Sequence, residues 1–291
     1  MHRFILLLCT VCLCATLPAV ADDVQRGIVY ATVDDRALKL DLYLPDEADD
    51  APLVVWVHGG AWMMGSRYPC PVRYLTEEGF AVASVSYRFA QHAVFPAQLH
   101  DCKAAIRYLR ANAEAYGYDA ERIGVAGASA GGHLVSLLGT TGNAKKTHGE
   151  VGEHDDISSE VHAVYNLFGP TDLLALDERF DRAGEGNRSN PIVQLLGADP
   201  DDEPGLAKAA DPAAFIDKDD PPMLIVHGTR DRVVPLSQSE YLAEKLEDAG
   251  IEHRFEVIEG AGHGGRAFRT KERREQVIAF FTKHLKPDIE R

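Results

Sequence analysis

Residues 123–134 read Ile-Gly-Val-Ala-Gly-Ala-Ser-Ala-Gly-Gly-His-Leu. Ile123 to Ala126 is a continuous apolar run, the pattern of a strand covered on both faces. It leads directly into Gly127-Ala128-Ser129-Ala130-Gly131, with a helix expected over His133 to Leu138. A strand that turns abruptly into a helix strains the residue at the turn. Side chains two positions before and after it would collide, so both must be tiny. Such a turn lifts Ser129 Oγ above the sheet and aims the free N–H groups of the helix N-terminus at the reacting atom. The plain alternative is a glycine-rich turn that merely ends a strand; placement between a buried strand and a helix favours a nucleophile.

Further apolar runs lie on either side: Leu53 to Val57, Phe80 to Val85, Val161 to Phe168 and Met223 to Val226, with a mixed run at His253 to Ile258. Leu38, Leu40, Leu42 and Leu44 alternate with polar neighbours, giving a strand with one buried face. Ile28 to Val33 is its expected partner across Asp34-Asp35-Arg36. Helical stripes fall between the runs: Leu99, Cys102, Ile106, Leu109 and Ala113; Leu242 and Leu246; and Val277, Phe280, Phe281 and Leu285. Ser237 to Glu240 has the spacing of a capping box, and Gly250 is the expected stop. A hairpin followed by strand–helix alternation predicts a mostly parallel, eight-stranded sheet with helices on both faces. Residues 171–220, rich in Asp, Glu, Gly and Pro, are expected to be a partly helical, cap-like insertion after the sixth strand. Thr141 to Ser159 is expected to be a mobile loop.

The length, 291 residues, suits one large α/β domain, spanning 22–291. Residues 1–21 have the form of a cleavable signal peptide: Arg3, an apolar stretch from Phe4 to Leu17, and Ala19-Val20-Ala21 as a small-x-small site. A secreted or periplasmic protein is therefore expected, with no membrane association after cleavage. Cleavage moves the formal net charge from −15 to −16 and leaves Cys70 and Cys102, either paired or as two buried free thiols. The acidic balance argues against nucleic acid and anionic membranes as partners.

A second glycine motif, His58-Gly59-Gly60-Ala61-Trp62, follows the run Leu53 to Val57. An oxyanion formed by serine attack needs donors already in place, and backbone N–H groups approach closely only where side chains are absent. Gly60, Ala61 and Ala130 are the expected donors, and His58 is expected to be structural. Ser129 needs a base. His133 and His227 are expected to pack, whereas His263 sits in a glycine loop at a strand end and can reach the site. Asp231, past the strand 223–226, is the expected carboxylate partner, ahead of Asp172 (a helix cap) and Asp101 (a partner for Arg88). The order Ser, Asp, His is that of α/β-hydrolases. Trp62, Phe89, Phe95 and Phe168 line either a pocket or the core.

The chain resembles the hormone-sensitive-lipase-like esterases, and most closely the acetylxylan and feruloyl esterase-like group. The residues that carry this are HGGAW at 58–62, SYR at 86–88, FPAQLHDCKAAIRYLR at 95–110, GASAGGHL at 127–134, HGTRDRVVP at 227–235 and GAGHG at 261–265. The resemblance implies an α/β-hydrolase fold and a serine esterase that forms an acyl-enzyme on small or carbohydrate-linked acyl esters. It implies Ser129 as nucleophile, Asp231 and His263 as relay, Gly60, Ala61 and Ala130 as oxyanion donors, and no metal or organic cofactor. Ala61 stands where many members carry a third glycine, and Ala128 where many carry Asp or Thr. Three other readings remain: an exopeptidase of the prolyl-oligopeptidase type, an arylformamidase, and a non-catalytic binding protein on a hydrolase fold. Oligomeric state is left open by these motifs.

Overall fold

The computed structural model describes residues 24–46, 48–142, 149–182 and 190–286. In chain order the elements are β1 (Val24–Val33), β2 (Arg36–Tyr43), β3 (Ala51–Val57), β4 (Ala81–Val85), α1 (Ala97–Ala111), α2 (Ala113–Tyr116), β5 (Tyr118–Ala128) and α3 (Ala130–Thr140). They continue with β6 (Ala163–Leu167), α4 (Leu173–Arg182), α5 (Pro191–Leu196), α6 (Pro204–Ala209), β7 (Met223–Gly228), α7 (Ser237–Asp248), β8 (His253–Ile258) and α8 (Lys271–Leu285). The eight strands form one sheet in the order β1-β2-β4-β3-β5-β6-β7-β8. β2 runs antiparallel to both β1 and β4, and every other pairing is parallel. The hairpin turns through Asp34 and Asp35, both at positive φ. Short polar residues tolerate that geometry, and it matches the twist of the two strands.

Alternation along β3 divides the core. Leu53, Val55 and Val57 face the layer built on α1, α3 and α7, with Leu99, Leu134 and Leu242 buried there. Val54 and Trp56 face the other layer, with Phe80, Val277 and Phe281. Cys102 belongs to the first layer and Cys70 packs against the second, so the sheet separates them and both are free thiols.

Several boundaries differ from expectation. β1 starts at Val24 rather than Ile28, because register irregularities between Gln25 and Ile28 interrupt its alternation. α3 begins at Ala130, not His133: Gly131 and Gly132 read as loop residues but are helical, and packing explains them. α7 has no capping box; Leu236 precedes it with helical dihedrals, and no side chain caps it. The chain already turns there, Gln238 N–H donating to Pro235 O and Ser239 N–H to Leu236 O. The connection from β6 to β7 carries α4, α5 and α6, with Asp172 Oδ1 accepting from Ala175 N–H at 3.0 Å at its first helical turn. Residues 149–159 contain neither helix nor strand; the rest of the expected 141–159 loop includes 143–148, which lie outside the described residues, as does the expected signal segment, 1–21. Asp101, fully buried, takes the Arg88 guanidinium and its backbone N–H at 2.7–3.0 Å.

Candidate active site

β5 delivers Ser129 at φ +55° and ψ −124°, between the last strand residue and the first turn of α3. The two glycines around it are explained sterically. A Cβ on Gly127 would run into Gly131 O, and one on Gly131 into Val57 O. The turn is fixed by Ser129 N–H donating to Leu167 O at 2.9 Å and His133 N–H donating to Ser129 O at 3.0 Å.

β8 and the glycines after it deliver His263, and the end of β7 delivers Asp231. Ser129 Oγ lies 2.8 Å from His263 Nε2, and His263 Nδ1 lies 2.6 Å from Asp231 Oδ2. The carboxylate fixes the tautomer: Nδ1–H donates to Asp231, which leaves Nε2 free to accept from the serine hydroxyl. Asp231 Oδ1 accepts from the N–H groups of Val233 and Val234 at 2.8 and 2.9 Å. Burial pushes the Asp231 carboxyl up, but hydrogen bonds from His227 and His263, the charge of His263 and the Val233 N–H outweigh it. The carboxyl is held well below the usual carboxylate range.

His227 was expected to pack, and it does so with more consequence than that. Its ring is fully buried, with Nδ1 2.7 Å from Ser239 Oγ and Nε2 2.9 Å from Val234 O. Nε2 also lies 3.3 Å from Asp231 Oδ2. The spacing His227-x-x-x-Asp231 was the available signal, hidden because His227 ends strand β7 and Asp231 lies in the loop after it, so the pair does not share a helix face.

The HGG loop meets the serine turn tightly. A Cβ on Gly59 would sit 2.6 Å from Ala128 O and 3.2 Å from Ser129 Cβ. Gly60, Ala61 and Trp62 all take positive φ, at +118°, +52° and +58°. Among the described residues, the N–H groups of Gly60, Ala61 and Ala130 donate to no protein acceptor, which is what donors reserved for a ligand require. His58 is locked: Nδ1 lies 2.8 Å from Gly59 O and the ring stacks on Tyr87 with centroids 4.6 Å apart.

His133, buried on α3, ties three segments together. Trp62 Nε1–H can only donate, so His133 Nδ1 accepts it at 3.2 Å, and Nε2–H donates to Ala210 O at 2.6 Å. Burial lowers its pKa to about 4, against the Ala210 bond, which raises it. Of the four aromatic residues noted from sequence, Trp62 and Phe95 are core and Phe89 packs over His58. Phe168 alone is placed against the array, 4.7 Å from the His263 ring.

The sheet order and the serine turn define an α/β-hydrolase fold. The BD-FAE family profile matches residues 40–246, and the chain belongs to that family. The esterase LipC of Mycobacterium tuberculosis is 33% identical over 82% of this chain. A truncated carbohydrate esterase from gut microbiota superimposes with a TM-score of 0.80 at 33% identity, covering 91% of this chain and 98% of that one. A bifunctional GH43-CE protein of Bacteroides eggerthii gives 0.81 at 35% identity, covering 91% of this chain and 38% of that one. The chain spans 62% of the length of LipC and 47% of LipQ, a second curated relative from the same organism.

Proposed function

We propose that the protein is a serine carboxylic-ester hydrolase that works through an acyl-enzyme on small or carbohydrate-linked acyl esters. One observation carries the reading: the continuous array from Ser129 Oγ through His263 to Asp231, at 2.8 and 2.6 Å. Ser129 attacks the ester carbonyl as His263 Nε2 takes its proton, while Asp231 holds the tautomer and steadies the imidazolium. Gly60, Ala61 and Ala130 donate to the oxyanion. The imidazolium returns its proton to the leaving alcohol, and water then releases the acid by the same steps. The esterase and carbohydrate esterase relatives support ester over amide chemistry.

We further propose export after cleavage behind Ala21, and that residues 171–220 cap the site. The cap reading is supported by Leu195 O accepting from Phe95 N–H at 2.7 Å and by the Ala210 bond to His133. N-terminal sequencing of secreted protein should begin at Asp22.

The test is hydrolysis of p-nitrophenyl acetate, acetylated xylan and methyl ferulate, beside a proline p-nitroanilide and N-formylkynurenine. Ester turnover should dominate, and Ser129→Ala should lower it by about 10³-fold or more. Retention of more than a few per cent of the rate by the variant, or failure of a fluorophosphonate to label Ser129, would overturn the reading.

A further inference from the structure

Beside the array, on the α8 side of the sheet, lies a cavity of about 300 Å³ whose wall includes Ala128 and Gly264, chain neighbours of Ser129 and His263. Its apolar wall is aromatic. Phe168 packs on the His263 ring, Phe268 meets Phe168 edge-on at 4.8 Å, and Tyr74 also lines the cavity. Its rim is basic: Arg269, Arg273 and Arg274 all line it. Arg273 is committed to Glu256. Arg274 lies over the Tyr74 ring at 5.0 Å, and neither it nor Arg269 has a carboxylate partner among the described residues. In a chain of formal net charge −15, two unneutralised guanidinium groups at one cavity mouth mark a local site for an anion.

Resting on the esterase reading, we propose that this cavity takes the alcohol portion of the ester and that Arg269 and Arg274 select alcohols bearing a carboxylate. The side is assigned by proton flow. The group that leaves must receive its proton from His263 Nε2, so the alcohol lies against the histidine loop, and this cavity is walled by that loop. The carboxylate follows from the rim, since a guanidinium recognises carboxylate through paired N–H donors. Aromatic walls suit a ring, whether sugar or arene.

The test uses 4-acetoxybenzoate and the neutral 4-acetoxybenzamide, matched in size, and reads the ratio of their kcat/KM values within each protein, so that any general loss of activity cancels. The ratio should fall by about tenfold in Arg269→Gln and further in Arg269→Gln/Arg274→Gln, as expected for losing charge-assisted bonds to the carboxylate. Arg269→Lys should restore part of it, and 0.5 M NaCl should lower it in the wild type. A ratio unchanged in the double variant, while both esters turn over, overturns the proposal alone. Absence of turnover of 4-acetoxybenzoate by a wild type that hydrolyses p-nitrophenyl acetate overturns the proposal alone, whereas absence of all ester turnover, p-nitrophenyl acetate included, overturns the esterase reading and this proposal with it.

Discussion

Acid should weaken the protein through His133, by an amount that follows from where its ring sits. The fully buried imidazole accepts from Trp62 at Nδ1 and donates to Ala210 at Nε2. A second proton would turn the acceptor into a donor facing the indole N–H. Burial and this geometry lower the pKa from 6.5 to about 4. Above pH 6.5 the ring is neutral in both folded and unfolded chains and its contribution is complete. Below that, the unfolded chain takes up the proton first, and folding loses about 1.4 kcal/mol per pH unit down to about 4. Between pH 7.5 and 5.0 the loss is about 2 kcal/mol. Asp211, which burial raises to about 6, acts with the opposite sign: its folded form binds a proton first, so acid relieves it. That effect is common to wild type and variant and cancels in their difference. Urea unfolding at the two pH values, followed by tryptophan fluorescence, isolates the histidine. His133→Gln should be about 1–3 kcal/mol less stable at pH 7.5 through the lost buried bond, and that deficit should shrink by about 2 kcal/mol at pH 5.0. A difference that stays constant to within about 0.5 kcal/mol across the two pH values would refute the reasoning.

Gly131→Ala drives a methyl group into Val57 O and should lower Tm by several degrees and kcat by more than tenfold; unchanged thermal unfolding and turnover would contradict the close-approach argument. Asp231→Asn keeps its oxygen under the Val233 and Val234 N–H groups, so its amide faces His263 and enforces the wrong tautomer. Stopped assays at pH 7 should show kcat reduced by about 10⁴-fold with the fold intact by circular dichroism. In the wild type, the depressed carboxyl stays ionised throughout pH 5–8. Its stabilising share is present above its ordinary value of 3.8 and is lost only as pH falls below that. Asp101→Ala strands the Arg88 guanidinium and should cost about 3–5 kcal/mol in denaturant unfolding. Burial raises the Cys70 thiol to about 12 and the Cys102 thiol well above its usual range, so peptide mapping after iodoacetamide should find both unmodified in native protein and modified in urea.

Most of the architecture was legible because buried parallel strands carry long apolar runs with little else competing for the pattern. The sequence bounds of β8 and the core of β3 and β7 needed no tertiary knowledge. What failed were positions where local preference and packing disagree. Gly131 and Gly132 are poor helix formers, yet they open α3 because the crossing chain leaves no space for a side chain. Ser237 and Glu240 match a cap pattern, yet Pro235 and Leu236 begin the turn earlier. At the site, Ser129, His263 and Asp231 were readable because each follows a strand and glycine marks two of them. The Trp62–His133–Ala210 chain was not readable, since it depends on three segments meeting in space, whereas the contact of His227 with Asp231 is local and depends on the turn that follows β7.

The distribution of backbone strain follows the same division. Seven residues other than glycine take positive φ among those described. Three of them, Asp34, Asp35 and Asp50, are aspartates in turns, where the left-handed region is tolerated. The other four, Ala61, Trp62, Ser129 and Phe168, all lie at the site, and their side chains gain nothing locally from that conformation. Strain of about 1–3 kcal/mol each persists only where surroundings impose it. The imposing bonds can be named: Ala90 N–H to Trp62 O, Ser129 N–H to Leu167 O, and Phe168 N–H to Val226 O, each at 2.9 Å, with the Trp62 ring pinned by His133. The carboxyl ends of β6 and β7 therefore hold the serine turn and Phe168, and Ala90 and His133 hold the loop, in these strained conformations. Among the described residues this leaves the N–H groups of Gly60, Ala61 and Ala130 without a protein acceptor, the state that the proposed oxyanion role requires.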